Sequence, residues 1–141
     1  MPPLWVAHGT GEAEGDAYSA TLSPSAPFTV TMLHYDQPAT LELSTGGFGY
    51  PLIIDKYVEF ANFLFETFGD KVKYWNTFNE PNLYCNYFKT LKPTGNNDDD
   101  QFYQCVHNIA LAHMKTYQLY KQKYQEKQKG THNLVTKTSA L

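Results

Sequence analysis

Hydrophobic and polar positions along the chain switch between the short period of strands and the longer period of helices. Phe28-Thr29-Val30-Thr31-Met32-Leu33 is a β-branched and apolar run that ends in the polar stretch His34-Tyr35-Asp36-Gln37-Pro38, which predicts a buried strand followed by a loop. Thr45-Gly46-Gly47-Phe48-Gly49 predicts a turn, and Pro51 stands where a helix favours its first residue. From Ile53 the apolar positions Ile53, Tyr57, Ala61, Leu64 and Phe68, flanked by Ile54, Val58 and Phe65, share one helical face, and Gly69 ends the pattern. Val72-Lys73-Tyr74-Trp75-Asn76-Thr77-Phe78 predicts a second strand that stops before Asn79-Glu80-Pro81. Pro81 is expected to bias Glu80 towards an extended backbone and to keep a helix from beginning there. A polar loop is expected over residues 89–100, its last aspartates capping a long helix that runs from Gln101 into the mid-120s. The expected contact residues of that helix are Phe102, Val106, Ile109, Met114, Tyr117 and Tyr120, and Asn133-Leu134-Val135-Thr136 reads as the start of another strand. Strand, helix, strand, helix is the order of an α/β fold with parallel strands and helical crossovers. Two such units do not close a barrel.

The ends differ from this middle. Residues 1–27 are rich in Gly, Ala, Ser and Pro, carry Glu12, Glu14 and Asp16 without a lysine, and read as a loose leader. Residues 131–141 read as a divergent tail, leaving 28–130 as the folded part. The 141 residues carry a formal charge of −3, which is no footprint for nucleic acid. All eleven basic residues are lysines, so the planar fork that grips phosphate in two places is missing. No run approaches the roughly 20 apolar residues that cross a bilayer, and Met1-Pro2-Pro3-Leu4-Trp5 shows no export signal, so no membrane partner is expected. Two Trp, 11 Tyr and 9 Phe suit a dense core or a sugar-binding wall.

In a parallel α/β fold, ligands gather at the carboxyl ends of the strands. His34 and Asp36 follow the first predicted strand, and Asn79 and Glu80 follow the second. Neighbours in a regular strand point to opposite faces, so Asn79 and Glu80 can serve one site only if the strand end is irregular. Asp36 reads as a loop-ordering acceptor, and Trp75 as core. His107, Asn108 and His113 read as structural hydrogen-bonding groups with no zinc spacing, and Asp98-Asp99-Asp100 as a solvated cap and not a calcium site. No metal and no cofactor is expected. Cys85 and Cys105 allow one bridge at most and read as free thiols or, in a secreted parent, as a link between a loop and a helix.

Thr77-Phe78-Asn79-Glu80-Pro81 resembles the acid/base signature of glycoside hydrolase family 1, the β-glucosidase and myrosinase family. Phe28 to Pro38 resembles the family's third barrel strand with its His-Trp-Asp-x-Pro ending, and Gly46-Gly47-Phe48 resembles its Gly-Gly-Phe turn. Phe68-Gly69-Asp70-Lys71-Val72 with Trp75, and His107-Asn108 with Leu111-Ala112-His113, extend the resemblance over Phe28 to Gly130.

The resemblance implies a fragment of a (β/α)8 TIM barrel, about two βα units, from an enzyme that hydrolyses β-glycosides with retention. Glu80 matches the general acid/base, Asn79 the residue that holds the sugar's 2-hydroxyl, and His34 a histidine that hydrogen-bonds the same ring. Plant myrosinases carry Gln at the acid/base position, so Glu80 favours an O-glycosidase or an animal-type enzyme. Tyr35 and Gln37 replace the family's usual Trp and Leu. No segment matches the Glu-Asn-Gly that supplies the nucleophile, so the chain alone is expected to be inactive. Two other readings stand beside this one: a non-catalytic sugar-binding module, and a part completed by other chains through its open sheet edges.

Overall fold

A computed structural model describes residues 8–9, 28–91, 98–128 and 134–137. The elements are β1 (His8–Gly9), β2 (Phe28–Leu33), α1 (Ala39–Thr45), a 3₁₀ turn (Gly47–Gly49), α2 (Leu52–Phe68), β3 (Val72–Asn79), α3 (Pro81–Leu91), α4 (Asp98–Lys123) and β4 (Leu134–Lys137). The sheet order is β1-β2-β3-β4. β2, β3 and β4 run parallel, joined by helical crossovers as the alternation predicts, while the two-residue β1 pairs antiparallel with β2. Apart from His8–Gly9, the expected leader over 1–27 lies outside the described residues.

Helices and strands build the core together: Val30, Met32 and Leu33 of β2 and Val72, Trp75 and Phe78 of β3 are buried with the inner residues of α2 and α4. On α2 the residues Ile53, Ile54, Tyr57, Phe60, Ala61, Leu64 and Phe65 are buried, which follows the predicted stripe. Phe68 at its end is exposed. Trp75 is fully buried, with Phe65 edge-on at 5.2 Å between ring centroids. Gly69 ends α2 without the left-handed turn common at helix ends, having φ −64°. Its role is spatial: a side chain there would collide with Gln128, whose amide donates to the Phe65 carbonyl at 2.8 Å.

Three expectations are corrected. A helix does begin at Pro81, because a helix's first residue has no intrahelical use for its N–H, and proline's fixed φ suits that position. Glu80 is not extended but has φ 44°. The face of α4 also differs from expectation: Met114 and Tyr117 are exposed, whereas Cys105, Asn108, Ala112, Thr116 and Tyr120 are buried. These last fall at intervals of three and four, a single stripe that runs through polar residues and so is invisible to an apolar count. The expected capping by Asp98 and Asp99 concerns side chains outside the described residues.

Cys85 and Cys105 are not free thiols but form a disulfide between α3 and α4. It joins two helices, since the segment after Glu80 is helical and not a loop.

Candidate active site

Glu80 lies one residue past the carboxyl end of β3, and the strand is irregular there. Thr77 and Phe78 are both buried, and Asn79 and Glu80 both partly exposed, so the two-residue alternation fails at this end. The pairing with β4 also shifts register between Asn76 and Asn79. The requirement that sequence alone imposed on Asn79 and Glu80 is therefore met.

Packing fixes the strand end from the helix side. The Tyr57 hydroxyl of α2 donates to the Thr77 carbonyl at 2.5 Å, and the Thr77 hydroxyl lies 2.8 Å from Nδ1 of His113 on α4. Burial raises the Tyr57 phenol well above its ordinary range and lowers His113 below its ordinary 6.5. Phe78 stacks on Tyr57 at 4.4 Å and meets Phe48 edge-on at 5.4 Å. The Gly46-Gly47-Phe48 turn serves this contact: positive φ at Gly46 (75°) and Gly47 (65°) folds the chain so that Phe48 enters the core. The Asn108 amide on α4 donates to the Phe48 carbonyl at 2.8 Å and accepts from Gln104 at 3.0 Å.

The end of β2 supplies the other half of the rim. Leu33 pairs with Phe78, which puts His34 and Asn79 at the same level on adjacent strands. The His34 backbone N–H donates to the Asp36 carboxylate at 2.7 Å, the loop-ordering role expected of that aspartate. Gln37 donates to Glu42 of α1.

Tyr35 makes the direct link across the rim, donating its hydroxyl to Glu80 Oε2 at 3.3 Å. Tyr35 has φ 63° and Glu80 φ 44°, and they are the only non-glycine residues with positive φ among those described. Each such conformation costs about 1–3 kcal/mol and persists only where surrounding contacts enforce it. Desolvation, then the Glu80 charge and hydrogen bond, raise the Tyr35 phenol above its ordinary 10.0. Beside the pair opens a surface cleft of about 490 Å³ lined by Tyr35 with Leu83 and Tyr87 of α3. Leu83 and Tyr87 are not evident from the sequence, although their spacing of four is a helical signal, because Pro81 reads as a barrier to a helix.

Parallel strands with helical crossovers, and polar groups gathered where the strands end, are the arrangement found in part of a β/α barrel. The chain belongs to glycosyl hydrolase family 1, whose family model matches residues 22–140. It is 38% identical over 125 residues to coniferin β-glucosidase of Pinus contorta, an alignment covering 77% of this chain and 24% of that protein. Among solved structures of family 1 TIM barrels, an aphid myrosinase superposes with a TM-score of 0.65 at 37% identity, covering 74% of this chain and 23% of the other. A rice β-glucosidase superposes with a TM-score of 0.65 at 28% identity, covering 75% and 25%. The chain thus spans about a quarter of the length of these relatives.

Proposed function

We propose that the chain is the acid/base portion of a retaining β-glycosidase, with Glu80 as the proton-transfer group. The observation that carries this reading is Glu80 itself: a carboxylate at the carboxyl rim, held in a strained backbone within the family sequence. In double displacement, one carboxylic acid protonates the departing glycosidic oxygen while a second carboxylate, roughly 5 Å away, attacks the anomeric carbon. Water then enters, gives its proton to the first residue and attacks the anomeric carbon, releasing the sugar as the bond to the second carboxylate breaks. Glu80 has the first role. Asn79 holds the 2-hydroxyl, a contact that tightens as charge develops on the ring, and His34 holds another hydroxyl from the adjacent strand end. The departing aglycone meets the wall of Tyr35, Leu83 and Tyr87, since Tyr35 touches Glu80. A related structure, a Glu-to-Gln variant of a rice β-glucosidase in a covalent complex with Glc, supports a route through a glycosyl-enzyme.

The attacking carboxylate is to come from a segment outside these 141 residues. Purified chain incubated with an aryl β-glucoside is expected to show no turnover, and the source transcript is expected to continue in frame to a Glu-Asn-Gly segment. Hydrolysis by the chain alone that disappears in Glu80→Gln would contradict the division of roles.

A further inference from the structure

We propose that Tyr35 is a positioning residue for Glu80, fixing the direction of its carboxylate at the rim. The inference rests on the acid/base reading above for its functional meaning, but on geometry for its substance.

Three contacts close a circuit through the two residues. The Glu80 carbonyl accepts the N–H of Tyr84, which ties the backbone of Glu80 to the first turn of α3 at 3.0 Å. The Tyr84 ring lies against the Tyr35 ring, with centroids 6.0 Å apart and planes tilted by 38°. The Tyr35 hydroxyl returns to the Glu80 carboxylate at 3.3 Å. On its other side Tyr35 meets the His34 ring at 5.7 Å. Tyr84 is itself anchored, buried with Phe48 edge-on at 6.0 Å.

The phenol is thus fixed by rings on two sides and aims at a group whose own backbone is strained. A carboxylate on a flexible glutamate stem can rotate, and an acid/base group must keep its oxygen within hydrogen-bond reach of the leaving oxygen. Pre-set rotamers meet that requirement better than contacts formed on demand.

The test uses the 141-residue protein and no turnover, so it can fail while the acid/base reading stands, and the reverse also holds. Glu80 side-chain rotamers are read from NMR couplings in the wild type and in Tyr35→Phe, which keeps the ring and removes only the hydroxyl. The expected result is one dominant Glu80 rotamer in the wild type and averaging among several in Tyr35→Phe, with amide spectra elsewhere unchanged. The reciprocal measurement follows the Tyr35 phenol by tyrosine-ring NMR in Glu80→Gln. Its titration midpoint is expected to fall from the wild-type value yet stay above 10.0, because desolvation, the larger cause, remains. Both changes are required. Glu80 rotamers indifferent to Tyr35→Phe, or a Tyr35 midpoint unmoved by Glu80→Gln, would overturn the proposal.

Discussion

His113 and Asn108 show how single side chains on α4 hold the rim from behind. Burial lowers the proton affinity of His113 in the folded protein, whereas the unfolded chain titrates near the ordinary 6.5. Below that value the unfolded state binds more protons, so stability rises with pH through the window between the lowered folded value and 6.5. The contribution is present above the window and is lost on acidification. Urea midpoints measured between about pH 7 and pH 5 should therefore fall less steeply in His113→Gln than in the wild type. Equal slopes would remove His113 from the account. Asn108→Ala strands the Phe48 carbonyl without its amide donor and should destabilise by about 1–3 kcal/mol in urea unfolding. A smaller loss would mean that water replaces the amide.

The helices α3 and α4 are held together covalently. Their disulfide closes a sequence separation of 20, for which the chain-entropy argument gives about 3 kcal/mol. Reduction, or Cys85→Ser with Cys105→Ser, should lower the unfolding free energy by about that amount, and an unchanged urea midpoint would show that the link is idle. The exposed pair of Lys115 and Asp55 at 2.8 Å, which also joins α4 to α2, adds little by comparison. Both strands and α2 were legible because their apolar residues carry the period of the element directly: Phe28–Leu33 as expected, Val72–Asn79 one residue longer, and Leu52–Phe68 beginning one residue after Pro51. The helix α3 is not legible because its sequence, Pro-Asn-Leu-Tyr-Cys-Asn-Tyr-Phe, mixes polar and aromatic residues without a clean stripe, and a proline at its start looks like a stop. Glu80, Asn79 and His34 stand out in the sequence through motif and strand end together, and they lie at the ends of adjacent strands. Tyr35's contact with Glu80 does not stand out, since it depends on two positive-φ residues that no propensity favours.

Among the described residues the sheet is mixed, with β2, β3 and β4 parallel, β1 antiparallel, and β1 and β4 at its edges. Edge strands of this kind offer their outer rows of N–H and C=O groups to another chain. Self-association is the expected outcome for the isolated chain: sedimentation velocity should give a weight-average mass that rises with concentration above the 16.1 kDa of one chain. A constant 16.1 kDa with a sharp thermal transition would show that the sheet needs no further partner.

Proton transfer by Glu80 can be measured in a complete barrel, which supplies a second carboxylate. Residues 28–130 would replace the matching segment of the rice β-glucosidase, and hydrolysis would be compared with and without Glu80→Gln on two β-glucosides, one with a basic leaving group and one with an acidic phenol. A general acid matters most when the leaving oxygen needs a proton. With Glu80 as the acid, Glu80→Gln slows the substrate with the basic leaving group by about 10²–10⁴-fold, and bond cleavage in the activated phenol is far less affected. Equal rates for Glu80 and Gln on the basic leaving group would contradict that role.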